Sequence, residues 1–566
     1  MSRKLKFFYA LLTVFSYLVV QPFLLLSAPA VADEGVQGGI PINSELVRKA
    51  CVQCHQLDEQ NRMSRISYRR TTPEGWQLTI KRMVSLNETK MEPEEARLIL
   101  KYLANNLGLA PEEARSSAFQ VERRLIHYEY ADRQTEQVCT KCHSMGRVMA
   151  QRRTPQEWEL LISMHRGYYP HSDYQGFRLQ RQPGVELDVD EDPRHPMEKA
   201  VAHLSEAFPL VTSEWLAWSA NMRAPKLEGR WAISGRQPGK GAIYGELIIT
   251  ANPKMEDEFM TEVHYVYSRS GKVVKRKGKS VVYTGFQWRG RSFEENKDDG
   301  GLREVMFVER NWKQMWGRWF TGAYDEIGMD VQLEKINAAP VVLGIEPPAV
   351  KISSKHSKLR IHGLNFPQLS PGDIDLGPGI EVSRVDSSEP SVVEFEIEVA
   401  PDARVGVRDL FLAGVTKLEA LAVFDKVDVI RVKPQAGMAR VGGANFPKRY
   451  QQFEAIAYHN GPDHKPATKD DLDLGMVDVS WSLEEYPALF VDDDKKFVGT
   501  IDQSGLFTPN VDGPNPDRYL NTNNFGDVWI VATFQEKSFD KAIRARAHLL
   551  VTIPLYVKWD QPEVSP

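Results

Sequence analysis

"CVQCH" at residues 51–55 and "CTKCH" at residues 139–143 contain every cysteine of a 566-residue chain. The stretches downstream of the two pentapeptides also match. "RRTTPEGWQLTIKRM" (69–83) comes after the first and "RRTPQEWELLISMH" (152–165) after the second. Each has paired arginines, a Thr-Pro helix start and a tryptophan that opens a helical pattern. Farther along, "MEPEEARLILKYLANNLG" (91–108) is matched by "MEKAVAHLSEAFP" (197–209). Apolar residues there recur at i, i+3 and i+4, which predicts a closing amphipathic helix in each copy. Residues from about 40 to 223 therefore predict two all-α lobes in tandem, the second carrying a polar, loop-like insertion at 167–196.

Two Cys-x-x-Cys pairs admit three chemistries: disulfides, a zinc site or haems attached as in c-type cytochromes. A four-thiolate zinc site would leave His55 and His143 without a purpose, and the gap from Cys54 to Cys139 far exceeds the zinc-ribbon spacing of about 15–20 residues. A histidine directly after the second cysteine is what haem attachment requires: two sulfurs add to the porphyrin vinyls and the imidazole sits beneath the iron. The spacing thus predicts two covalent c-type haems, at Cys51 and Cys54 with His55, and at Cys139 and Cys142 with His143.

The helical repeat supplies the opposite ligands. Seven residues beyond Trp76 stands Met83, and seven beyond Trp158 stands His165. Positions i, i+4 and i+7 share one helix face, so Trp76, Ile80 and Met83, like Trp158, Ile162 and His165, form an apolar wall with one iron ligand. Met83 and His165 are the expected sixth ligands. The alternatives are Met91 for the first haem and Met164, His171 or Met197 for the second, and a helical methionine is often plain core. His127, His195 and His203 read as structural or surface residues. Arg69, Arg70, Arg152 and Arg153 suit haem propionates, because guanidinium binds carboxylate in a fork, or else are solvated.

The opening residues 1–32 read as a secretory signal peptide: Arg3, Lys4 and Lys6, an apolar run from Phe7 to Leu26, then small residues Ala30 and Ala32. That places the protein in a Gram-negative periplasm, without stable membrane insertion, an uncleaved anchor being the other reading of so long an apolar run. With 42% hydrophobic and 26% charged residues the chain has mass for several cores, and a net charge of −5 gives no reason to expect nucleic acid.

From residue 224 the texture changes to strands. "GRWAISGRQPGKGAIYGELIIT" (229–250), "EFMTEVHYVYS" (258–268), "KSVVYTGFQWRG" (279–290) and "REVMFVERNWKQMWGRWFTG" (303–322) alternate apolar and polar residues between turns, which predicts an antiparallel barrel. "HGLNFP" (362–367) and "GGANFP" (442–447) recur in two further β units, and "VSWSLEEY" (479–486) with "VGTIDQSGLFTP" (498–509) has an Ig-like look. The expected architecture is a first cytochrome c lobe (33–112), a second (113–223), a β-barrel (224–335) and two Ig-like sandwiches (336–427 and 428–566).

Two haem motifs, a barrel opening "GRWAISGRQPGKGAIYGELIIT" and two Ig-like units, in that order, resemble the α subunit of quinohaemoprotein amine dehydrogenase. The resemblance implies assembly with a β-propeller subunit and a small subunit carrying a cysteine tryptophylquinone, which oxidises primary amines to aldehyde and ammonia. It further implies that this chain passes electrons to a soluble acceptor, a blue copper protein or cytochrome c. No cysteine is left here to build such a quinone, so no catalytic residue for amine oxidation is expected in this chain. A dihaem peroxidase and a free-standing secreted electron carrier are the other classes the motifs allow.

Overall fold

The computed structural model describes residues 38–118, 130–140, 143–169, 172, 192, 194–295, 301–321, 327–443, 446–486, 493–535 and 542–553. The signal-peptide reading, His127, Cys142, His171 and most of the 167–196 insertion lie outside them.

Up to residue 223 the described elements are short. They are helices α1 (Glu45–Cys51), α2 (Pro73–Leu86), α3 (Pro93–Asn106), α4 (Pro111–Arg115), α5 (Arg133–Cys139), α6 (Gly146–Met149), α7 (Pro155–Tyr168), α8 (Pro196–Ala207) and α9 (Ser213–Asn221), with strands β1 (Arg69–Thr71) and β2 (Gln151–Arg153). The strands pair antiparallel, Arg69 opposite Arg153, Arg70 opposite Arg152 and Thr71 opposite Gln151.

The expectation of tandem all-α cytochrome lobes is overturned. The chain is 21% helical and 44% strand, and this region holds only a few short helices. The physical reason is that the first half does not close a core of its own. Trp76, Ile99, Leu100 and Leu103 bury against Val281 and Tyr283 of a barrel strand. Buried Glu74 on α2 is ion-paired with buried Arg289 of the barrel, and Thr284 N donates to Asn105 Oδ1 at 2.6 Å. Gly108 marks the closest approach: a Cβ there would stand 2.2 Å from Ala104 O and 2.8 Å from Thr284 Oγ1.

The barrel itself is as expected. Strands β3 (Gly229–Gln237), β4 (Gly241–Asn252), β5 (Met255–Tyr267), β6 (Val273–Tyr283), β7 (Gln287–Glu294), β8 (Leu302–Val308), β9 (Gln314–Thr321) and β10 (Ile327–Lys335) close in sequence order, β10 returning to β3. Alternate side chains point inward, and Trp231, Trp288, Trp319, Phe259 and Met306 fill the interior. Closure leaves this sheet no unpaired edge.

Two further β units complete the chain. In the first, two four-stranded sheets face each other across Leu359, Ile361, Phe395, Ile397, Leu410 and Val423. In the second, a four-stranded sheet and two three-stranded sheets enclose Ile430, Phe453, Phe507, Ile530 and Leu549. Among the described residues no helix is long and apolar enough to cross a membrane.

Candidate functional site

Each cysteine motif begins at the end of a seven-residue helix. Ser44 caps α1 by accepting from Val47 N, and Asp132 caps α5 by accepting from Thr135 N, which satisfies backbone donors the first turn leaves open. Both helices end on the first cysteine of their motif. Past Cys51 the chain curls tightly: Cys54 N and His55 N both donate to Cys51 O, at 3.2 and 3.0 Å. Burial, with lesser contributions from Glu95 and Cys54, raises the Cys51 thiol to about 11. Burial raises Cys139 to about 12. Both thiols are therefore protonated at pH 7. Among the described residues no three His, Cys, Asp or Glu side chains group to hold a metal ion.

The histidines are held in one way. His55 Nδ1 donates to Ser64 O at 2.8 Å, His143 Nδ1 to Ser144 O at 2.9 Å and His165 Nδ1 to Leu161 O at 2.8 Å. A carbonyl can only accept, so each Nδ1 carries the proton and each Nε2 carries the lone pair a metal needs. Such a backbone bond is the usual outer support of a ligating imidazole. Burial foremost, then the Arg147 charge, lowers His143 to about 4. Burial lowers His165 too. Both rings are therefore neutral at pH 7.

His143 and His165 come together, their ring centroids 6.4 Å apart with planes inclined at 49°. A metal bound between two imidazoles at about 2 Å from each nitrogen separates the centroids by about 6 Å. The donor set and its spacing fit a haem iron that His143 and His165 would both hold.

Helices α2 and α7 carry the expected sixth ligands in equivalent settings. Thr72 and Thr154 are the N-caps, accepting from Gly75 N and Glu157 N. Trp76 Nε1 donates to Leu107 O at 2.9 Å, and Trp158 Nε1 to Phe208 O at 3.4 Å. Leu107 and Phe208 are the C-caps of α3 and α8. Each tryptophan thus bolts its ligand helix to its closing helix. Met83 is half-buried, with Asn87 Nδ2 3.8 Å from its sulfur. Of the alternatives, Met91 packs on the cluster that includes Cys51, the Met164 sulfur takes a 3.5 Å contact from Arg82, and Met197 is core beside Ala200.

Four arginines expected at propionates or in solvent are buried. Arg70 forks onto Glu113 with both contacts at 2.8 Å, and Arg152 Nε reaches the same carboxylate at 3.1 Å. Burial raises the Glu113 carboxyl, but the Arg70 hydrogen bond and the charges of Arg70 and Arg152 outweigh it and hold the group at about 2. Nothing in the sequence singled out Glu113, one acid among many. His195 caps α8, its Nδ1 accepting from Met197 N. His203 hydrogen-bonds Tyr130 Oη at 2.7 Å and lies 3.6 Å from the cap residue Asp132. At the matching position Tyr102 Oη accepts from Asn43 N, just before the cap of α1, so both residues secure the start of a haem-motif helix.

A search of curated proteins gives no match. Solved structures match only distantly. A redesigned beta barrel is 13% identical, with 20% of this chain and 92% of that one covered and a TM-score of 0.17. Human Protocadherin-24 EC1-2 is 11% identical, with coverage of 39% and 100% and a TM-score of 0.15. Family models are specific. "Quinohemoprotein amine dehydrogenase A, alpha subunit, haem binding" matches residues 42–188. Domains II, III and IV of the quinohemoprotein amine dehydrogenase alpha subunit match 224–336, 339–425 and 430–564. Four domains of one subunit, in order and over most of the chain, show that this protein belongs to the α-subunit family of quinohaemoprotein amine dehydrogenase, a component of an oxidoreductase complex.

Proposed function

We propose that this chain is the periplasmic dihaem electron-transfer subunit of its complex. It would link a partner subunit's cysteine tryptophylquinone, where primary amines are oxidised, to a soluble copper protein or cytochrome c. Covalent haem, when bound, supplies one-electron redox chemistry. Cys51 and Cys54 hold one group and Cys139 and Cys142 the other. His55 and His143 lie beneath the irons, and Met83 and His165 are the opposite ligands.

The observation that carries this reading is the pair His143 and His165, centroids 6.4 Å apart, each with Nδ1 bonded to a backbone carbonyl. Two neutral imidazoles this close would both be available to hold one haem iron. Such a centre moves electrons without binding peroxide, which favours the electron carrier over the peroxidase. Family membership supports the partners: a β-propeller subunit and a small quinone-bearing subunit.

The test is chemical. Denaturing electrophoresis should leave haem stain on this chain, and its intact mass should exceed the apoprotein by two haems. Native purification from the periplasm should bring two other subunits with it and yield amine-dependent reduction of a soluble acceptor. One haem, a disulfide, or a native monomer with peroxidase turnover overturns the reading.

A further inference from the structure

Side chains alternate along a strand, so β1 and β2 send their arginines to opposite faces. On one face the charges balance. Arg70 and Arg152 share Glu113, and their other N–H groups reach Leu210 O, Gly108 O and Met149 O at 2.6 to 2.9 Å. On the other face they do not. Arg69 and Arg153 meet Arg82 from α2 and Arg65 from the segment before β1. Among the described residues the carboxylate paired with this group is Glu157, 3.4 Å from Arg153 and 3.2 Å from Arg65. Arg69 is 8% exposed and Arg153 3%, and Arg69 Nε and Arg82 Nε are buried with no hydrogen-bond partner among the described residues.

Buried guanidinium groups persist where an anion and its hydrogen bonds compensate them. Four cations around one acid leave that compensation incomplete. Burial foremost brings Arg153 down to about 9; Glu157 opposes the fall, and the Arg65 and Arg82 charges add to it. The cluster also adjoins the second haem site. Arg82 Nη1 touches Met164, the residue before His165, and the Arg153 and Arg82 charges act on His165 itself.

We propose that Arg69, Arg82 and Arg153 bind the propionate carboxylates of the haem held between His143 and His165. The proposal rests on the dihaem reading above. A haem presents two carboxylates on one porphyrin edge, and the planar guanidinium fork matches each. The cofactor then completes the charge balance of the strand pair that joins the two halves of the region, while Glu157 fixes the arginines that it does not neutralise.

The native complex, purified from cells fed δ-aminolevulinate carrying ¹³C at its carboxyl carbon, has isotope only in the propionate carboxyls of its haem. Redox-difference infrared spectra should show isotope-sensitive carboxylate bands that shift in Arg69→Gln and Arg153→Gln, while Arg153→Lys keeps most of the wild-type position. The midpoint potential of the second haem should fall in both glutamine variants. Glu157→Gln, an isosteric change, should raise that potential and move the labelled bands the opposite way, and it serves if an arginine variant loses its haem. Labelled bands identical in wild type and every haem-bearing variant overturn the proposal, since the cluster then takes a carboxylate from elsewhere in the chain. Haem stain and intact mass on the same preparations separate this failure from that of the dihaem reading, which fails if the stain is absent or the mass shows fewer than two haems.

Discussion

At the scale of single residues, His165 and Glu113 do opposite kinds of work. His165 is a half-buried imidazole whose Nδ1 is fixed by Leu161 O and whose ring faces His143. His165→Met should keep the haem attached, raise its potential and add the far-red absorption of ferric iron–methionine ligation, because thioether ligation raises haem potentials. An unchanged optical spectrum would remove His165 from the iron. Glu113 is a buried carboxylate between two guanidinium groups, and its loss strands both. Glu113→Gln should cost about 3–5 kcal/mol, read by denaturant unfolding. The same group sets an acid limit. Its carboxyl lies at about 2 in the folded protein against an ordinary 4.5. Its stabilisation, about 3 kcal/mol, is complete above pH 4.5 and is lost as pH falls toward 2. Wild type should lose stability across that window, and Glu113→Gln should lose less of it. The sequence pointed to the first residue and not the second: the expected ligand His165 stands at a counted distance from a tryptophan, whereas Glu113 gains its role from chain segments about 40 and 100 residues away.

Among elements, the repeated helices were legible because their signals are local. Thr-Pro starts, one tryptophan and a period near 3.6 predict α2 and α7, and those helices form with the predicted caps. Thr154→Ala should cost about 1 kcal/mol, seen as a lower melting temperature, by freeing the first turn of the helix that carries His165. The strands β1 and β2 were not legible. Three residues each, nearly all charged or polar, give no alternation of apolar and polar side chains. They exist because a partner strand some 80 residues away supplies the ladder, and because Glu113 receives the arginines. The helical signals are local, but the face each helix buries is set by the distant barrel, so the local pattern alone reads as all-α. The barrel was legible for the converse reason: its strands are long, alternate cleanly and are joined by tight turns, so local pattern and final fold agree.

Across the whole molecule, the proposed reading gives the two haem sites different ligand chemistry, and that would set a direction. With Met83 as the ligand at the first haem, that haem would lie at the higher potential, and electrons from the proposed quinone would enter at the Cys139 and Cys142 haem and leave from the Cys51 and Cys54 haem. Redox titration of Cys51→Ala and Cys139→Ala proteins, each with one haem left, should give the higher midpoint to the chain that keeps the first site. The reverse order would shift the methionine elsewhere. The surface between α3 and the barrel has a further consequence. Val281, Tyr283 and Thr284 finish the packing of helices synthesised some 180 residues earlier. Chains grow N-terminus first, so the cysteine pairs are made before the surface on which their helices settle. On the dihaem reading the attachment machinery would meet an open, pliable substrate, and the barrel's arrival would be the clock that ends its access.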